Sequence, residues 1–286
     1  GYNGSAKNIA ERYDPVTNTW EPITSIPTGM HGIASSVYNG KLYCISGGKS
    51  LFSYHPAVGN WITTTPLFDE VRWGNAITIY EEIYLMGVRD ASPQNTNRVF
   101  SFDPNSNIWS ERANMMEARG AIELVVFQNR IWAIGGNVGS PSNKVESYDP
   151  LTNSWKNEVP LLLARNSATT WVANGKIYAG GGYGGGSYLK SIEIYDPTTK
   201  QWSNSGNFPE NKFAADAVVL NDKVYVIGGS TASDVYSNKV FAADLNASVD
   251  GIYDLYRKDG DAPVGIPVVQ SEYADRSVTG SKMADG

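Results

Sequence analysis

Residues 145–155 read Val145-Glu146-Ser147-Tyr148-Asp149-Pro150-Leu151-Thr152-Asn153-Ser154-Trp155. An aromatic residue opens a Tyr-Asp-Pro triplet, and a tryptophan follows seven positions after it. The proline starts a turn, so the runs on either side of it read as two adjacent strands. The same spacing recurs at Tyr13 and Trp20, Tyr54 and Trp61, Phe102 and Trp109, and Tyr195 and Trp202. One copy departs from the triplet and reads Tyr54-His55-Pro56. Successive tryptophans lie 41, 48, 46 and 47 residues apart. A unit of that length, repeated so regularly, implies an array in which each unit buries its neighbour's exposed face.

A second mark shares the period. Apolar-aromatic runs end in paired glycines at Gly47-Gly48, Gly135-Gly136, Gly181-Gly182 and Gly228-Gly229, and in the single Gly87 after Ile83-Tyr84-Leu85-Met86. Double glycine after a strand, then Tyr-Asp-Pro, then tryptophan resembles the kelch repeat, from residue 1 to about residue 256. The resemblance implies an all-β, kelch-type β-propeller of about six four-stranded antiparallel blades, the first incomplete. Full blades are expected at 31–63, 72–111, 119–157, 165–204 and 212–256, with residues 1–22 supplying only the outer two strands of another. In the last copy the triplet decays to Ala243-Asp244-Leu245, and Tyr253 or Tyr256 stands in for the tryptophan. The tyrosines and tryptophans are expected to pack between blades. The glycines are expected to let backbones approach closely, with Gly48, Gly87, Gly136, Gly182 and Gly229 at equivalent positions.

Composition narrows the function classes. The 23 basic and 29 acidic side chains give a net charge of −6, which argues against non-specific nucleic-acid binding. No apolar run is long enough to span a membrane. Cys44 is the only cysteine and falls in an expected strand, so no internal disulfide contributes and the compartment stays open. The chain opens Gly1-Tyr2-Asn3-Gly4 and reads as a fragment cut inside a blade. The expected source is a larger bacterial protein, extracellular or at the cell surface, with a cytoplasmic location as the alternative. Residues 257–286 lie beyond the repeats. There Ala274–Met283 restarts at Ala284-Asp285-Gly286, so this extension reads as a short polar repeat or a disordered tail.

In a four-stranded blade, the loop after the second strand and the connection to the next blade open on one face. The sequence varies there, at 48–51, 88–97, 137–143, 183–187 and 230–238, and variable loops on a constant scaffold are where binding concentrates. Ten or eleven positions after each tryptophan come His31, Arg72, Arg119, Arg165 and Lys212. These five are expected to ring a solvent-accessible channel mouth and to focus positive potential there. In kelch domains that act as substrate adaptors, arginines at this repeat position line a pocket for acidic peptides, and the resemblance implies the same location here. The competing reading pairs each arginine with a neighbouring blade's carboxylate or carbonyls, as a structural contact. Only His31 and His55 exist, no His-Cys spacing suggests zinc, and the copper-radical set of galactose-oxidase-type kelch propellers is missing, so neither metal nor cofactor is expected. The leading expectation is a non-catalytic module that recognises a protein or glycan, possibly anionic, on the loop-rich face. The alternatives are a sugar mutarotase-like enzyme using the cationic mouth, with catalytic residues unknown, and a structural spacer in a surface assembly.

Overall fold

The computed structural model describes residues 5–245, apart from 31, 46–48, 70–71, 90–93 and 234, together with the backbone of 253–256. The expected extension at 257–286 therefore lies outside the described residues. The described residues form two compact units, one up to Gly120 and one from Ala121 onward. No helix occurs among them.

In the first unit β1 (Ala10–Asp14) and β2 (Thr19–Ile23) make a two-stranded sheet. Two four-stranded antiparallel blades follow. One contains β3 (Ala34–Tyr38), β4 (Lys41–Ile45), β5 (Leu51–His55) and β6 (Asn60–Thr63); the other contains β7 (Asn75–Ile79), β8 (Glu82–Met86), β9 (Val99–Asp103) and β10 (Ile108–Arg112). The second unit holds three more. Its first blade is β11 (Glu123–Phe127), β12 (Arg130–Ile134), β13 (Val145–Asp149) and β14 (Ser154–Asn157). The next is β15 (Thr169–Ala173), β16 (Lys176–Gly180), β19 (Ser191–Asp196) and β20 (Gln201–Asn207), with the small hairpin β17 (Tyr183–Gly184) and β18 (Ser187–Tyr188) in the loop between its second and third strands. The last is β21 (Asp216–Leu220), β22 (Lys223–Ile227), β25 (Val240–Asp244) and β26 (Tyr253–Tyr256), with the hairpin β23 (Ser230–Ala232) and β24 (Val235–Tyr236) in the same place. The all-β kelch-type propeller is thus present with five four-stranded blades among the described residues, not six. The reason lies in the sequence, because residues before Ile23 carry only the triplet and tryptophan half of a repeat.

The seven-residue spacing is a cross-strand pair. Tyr13 lies opposite Trp20, Tyr54 opposite Trp61, Phe102 opposite Trp109, Tyr148 opposite Trp155 and Tyr195 opposite Trp202. Ring centroids are 5.0–5.4 Å apart at tilts of 41–50° in all five, within the favourable range for aromatic pairs. The tryptophans also reach backward along the array. Trp61 Nε1 donates to the Thr24 carbonyl at 2.7 Å, Trp109 Nε1 to Thr65 at 3.0 Å and Trp202 Nε1 to Val159 at 2.9 Å. Each acceptor follows the outermost strand of the preceding sheet, so the indole is a latch between neighbours.

The paired glycines reach forward. Gly136 N–H donates to the Arg165 carbonyl at 2.9 Å and Gly182 N–H to the Lys212 carbonyl at 2.6 Å, both in the next blade. A methyl group on Gly135 would sit 2.5 Å from the Arg165 carbonyl oxygen, and one on Gly181 2.2 Å from that of Lys212. Both glycines also have positive φ, so neither sterics nor backbone admits a side chain. Gly87 (φ 68°) matches the first glycine of each pair rather than the second, where the fully buried Val88 stands, so the expected alignment of Gly87 with Gly136 shifts by one. Gly48 lies outside the described residues. The five first-to-second-strand turns, such as Gln128-Asn129 and Asn221-Asp222, place two consecutive residues at positive φ, the primed geometry that matches strand twist. Buried apolar side chains of neighbouring blades then merge into shared cores within each unit, such as Val125, Ile134 and Ile177 with Trp202.

Candidate functional site

The loops entering each innermost strand are built to one plan. Each innermost strand starts fourteen residues after the tryptophan of the sheet before it. On the way in, an apolar residue is buried: Ile26, Leu67, Met115, Leu161 or Phe208. Its N–H donates to the segment just before the strand that carries the triplet, on the carbonyls of Asn8, Lys49, Asn97, Asn143 and Lys190, at 2.8–2.9 Å. Four residues later a second side chain plugs the interior, and its N–H donates to the same segment at Met30, Arg165 and Lys212. Two residues beyond the plug, Gly32, Trp73, Ala121, Ser167 and Ala214 all take φ of 47–59° and turn the chain into the strand.

This plan revises the cationic ring. The plug positions are Met30, Arg119, Arg165 and Lys212, each ten residues after a tryptophan; residue 71, at the same spacing, lies outside the described residues. Arg72 sits one residue further on, where its backbone bridges Arg89 and its side chain is exposed. His31 lies outside the described residues. Arg119, Arg165 and Lys212, expected to be solvent-accessible, are 0–1 % exposed. The one-residue difference matters because successive side chains in extended backbone point to opposite sides.

The plugs pair with a residue of their own blade's third strand, two before the position of the triplet aromatic, and the two chemistries match. Arg165 Nη2 donates to Glu193 Oε1 at 2.7 Å, while its other guanidinium nitrogen holds the Gly181 and Ser191 carbonyls at 2.8 and 2.9 Å. Lys212 Nζ lies 4.3 Å from the Phe241 ring centroid and also donates to the Gly228 carbonyl and Ser237 Oγ. Met30 packs with Phe52 in one apolar cluster. Arg119 and Glu146 hold the corresponding positions in their repeat, both fully buried. A site that accepts Met with Phe, Lys with Phe and Arg with Glu is a packing site, and these cations position loops.

What they position is exposed. In the second unit the Glu193 carboxylate also accepts the Leu162 and Leu163 amides at 2.7 and 3.0 Å, so the Arg165–Glu193 pair clamps the loop tip 162–164. That tip displays Leu162, 63 % exposed, and Leu163. Its Ala164 carbonyl packs against Gly184, where a Cβ would come within 2.0 Å. The hairpin β17–β18 thus abuts the tip and carries Tyr183 and Tyr188, whose rings meet at 5.6 Å. Tyr188 in turn meets the Phe213 ring at 5.4 Å. Phe213 bridges Ser230, at the base of hairpin β23–β24, which exposes Val235 and Tyr236. Exposed Leu162, Leu163, Val235 and Tyr236 and half-buried Tyr183, Tyr188 and Phe213 thus form an aliphatic and aromatic strip on adjoining loops of this unit.

Lys212 and Lys239, near the strip, share one carboxylate. Glu210 lies 3.1 Å from Lys212 Nζ and 2.7 Å from Lys239 Nζ. Burial pushes its carboxyl up, but the hydrogen bonds from Lys239, Lys212 and Ser237 outweigh this and hold it below the usual range. On the opposite face, the triplet aspartates are turn caps. Asp103 accepts the Asn105 amide and the Ser106 hydroxyl, which hold its carboxyl below the ordinary value. Burial pushes the Cys44 thiol up to about 12. Among the described residues no three His, Cys, Asp or Glu side chains gather as a metal site, and no helix is long and apolar enough to cross a membrane.

Sequence reasoning singled out the loops 183–187 and 230–238, which carry Tyr183, Val235 and Tyr236, but passed over Leu162, Leu163, Tyr188 and Phe213. The available signal was the run Leu161-Leu162-Leu163, since the loop plan buries only the first of the three.

Comparison with known proteins agrees with this geometry. The family model described as the KLHDC2/KLHL20/DRC7 kelch-repeats domain matches residues 74–249, and a kelch motif matches residues 1–27. Kelch-like protein 36 of Rattus norvegicus is 27% identical over 148 residues, covering 47% of this chain and 24% of the relative. Kelch-like protein 35 of Mus musculus is 28% identical over 144 residues (48% and 24%), and kelch-like protein 23 of Pongo abelii 29% over 149 residues (48% and 25%). The matches thus span about a quarter of the length of these curated relatives. Among solved structures, that titled "Structure of YjhT" superposes with a TM-score of 0.72 at 14% identity, covering 87% of this chain and 97% of the other, which is a likeness of fold.

Proposed function

The chain belongs to the kelch-repeat family, and from that premise we propose that it is a non-catalytic recognition module whose loop-rich face binds another protein. The carrying observation is the strip from Leu162 to Tyr236, apolar and aromatic side chains on adjoining loops of the second unit, whose Arg119, Arg165 and Lys212 are folded inward. Exposed apolar surface of that kind costs solvation unless a partner covers it, and marks interaction sites. Kelch domains typically serve protein interaction, which supports the same reading. The test uses the immobilised chain, identification of the proteins it retains, and titration with the purified partner. Leu162→Asp with Leu163→Asp is expected to weaken binding at least about tenfold. Leu151→Asp, on a 77 % exposed residue of the opposite face, is expected to leave it unchanged. Equal binding by both variants, or loss only with Leu151→Asp, refutes the assignment.

A further inference from the structure

The charge pattern around the strip narrows the partner's chemistry, and this step rests on the recognition reading above. We propose that the strip takes an uncharged, apolar segment of a partner protein, and that the Arg165–Glu193 pair is the positioning device that presents Leu162 and Leu163 to it.

Three observations converge. First, the buried cations beneath the strip are turned inward to partners within this unit. Arg165 is engaged by Glu193, Lys212 and Lys239 share Glu210, and Lys144 lies 3.2 Å from Glu146. A partner carboxylate would lose hydration at a desolvated interface without reaching the buried Arg165 or Lys212, a net cost. Second, the tip's backbone donors are spent. Leu162 and Leu163 N–H both point inward to Glu193, so the tip offers side chains outward and no amide nest for an anion. Third, the composition of the surface suits apolar contact. Tyrosines carried on glycine- and serine-rich hairpins, such as Tyr183-Gly184-Gly185-Gly186-Ser187-Tyr188, supply broad, stiff, amphipathic area at low entropic cost. Such an interface gains affinity from area covered and from a tip already fixed before binding.

The experiment pans a random peptide library on the immobilised whole chain and measures the recovered peptides by calorimetry. Recovered sequences are expected to be rich in Leu, Ile, Phe, Trp and Tyr with net charge near zero. Their affinity is expected to change less than about twofold between about 50 and about 500 mM salt, because no exposed ion pair is screened. Leu162→Asp with Leu163→Asp, and separately Val235→Asp with Tyr236→Asp, are each expected to weaken binding at least about tenfold. Glu193→Gln is expected to speed hydrogen exchange at the Leu162 and Leu163 amides and to weaken binding; full affinity together with fast exchange would remove the positioning role. Recovery of acidic peptides, or affinity that collapses with salt, overturns the proposal while leaving protein recognition intact. So does sedimentation showing a dimer that the leucine variant abolishes, since the occupant is then a second copy. Failure to enrich any peptide overturns the recognition reading as well.

Discussion

Arg165→Met separates a structural plug from a binding cation. The side chain is 1 % exposed and makes four hydrogen bonds, to the carbonyls of Gly181 and Ser191, to Ser191 Oγ and to Glu193. Methionine fills much of the same volume but abandons a buried carboxylate that keeps only two amide donors. Removing one partner of a buried pair costs about 3–5 kcal/mol, most of it the stranded charge rather than the lost attraction. For a chain of this size that converts at about 2–4 °C per kcal/mol, so thermal unfolding followed by near-UV circular dichroism should show a melting temperature lower by about 6–20 °C. The protein also supplies its own rescue. Another repeat places Met30 against Phe52 at these two positions, within one apolar cluster. Arg165→Met with Glu193→Phe should therefore recover at least about half of the loss, a coupling of about 2 kcal/mol in a double-mutant cycle. A single variant melting within about 2 °C of the parent would refute the plug, and strictly additive losses in the double variant would refute the matched-pair reasoning.

Gly181→Ala meets both a positive φ and a carbonyl 2.2 Å away, whereas Gly175→Ala meets only the positive φ. Gly175→Ala should cost about 1–2 kcal/mol, and Gly181→Ala clearly more in the same denaturant titration; equal losses would argue against the inter-blade contact. Because the folded Glu210 carboxyl lies below its unfolded value, its contribution is present above the ordinary glutamate pKa and is lost as pH falls through the folded one. Melting of the parent between pH 6 and pH 3 should accordingly fall more steeply than that of Glu210→Gln, and parallel curves would contradict the charge network. With its thiol pushed up to about 12 by burial, Cys44 should resist a thiolate-directed reagent at neutral pH until the chain unfolds. Labelling of the native protein at the rate of a free thiol would show that β4 opens locally.

The strands, the turns and the inter-blade contacts were legible because they depend on local rules. A tyrosine and a tryptophan seven apart are a directly opposed pair across a two-strand turn, and paired glycines announce a place where backbone meets backbone. The binding surface was less legible, for a geometric reason. Accepting both ten and eleven residues after tryptophan joined Arg72 and His31 to Arg119, Arg165 and Lys212, although a fixed spacing of ten selects Met30 and Val71 instead. Apolar residues at two of five copies were the clue that the position faces inward. Exposure of Leu162 or Tyr236 could not be deduced from hydrophobicity, since the same residue types fill the cores; it follows from the loop clamps, which emerge only when distant carbonyls and amides are brought together.

The joints between repeats recognise main chain. Tryptophan latches take carbonyls of Thr24, Thr65 and Val159, and glycine contacts take carbonyls of Arg165 and Lys212. Every residue has a carbonyl, so the joint itself does not dictate the neighbour's side chain; at Arg165 and Lys212 that choice is set by the partner within the same blade. A duplicated repeat entering such an array would find its docking points already present on both sides, with no compensating change required next door. Divergence can then proceed one repeat at a time, which explains how Phe241-Ala242-Ala243-Asp244 and Glu193-Ile194-Tyr195-Asp196 serve the same structural office with so little text in common.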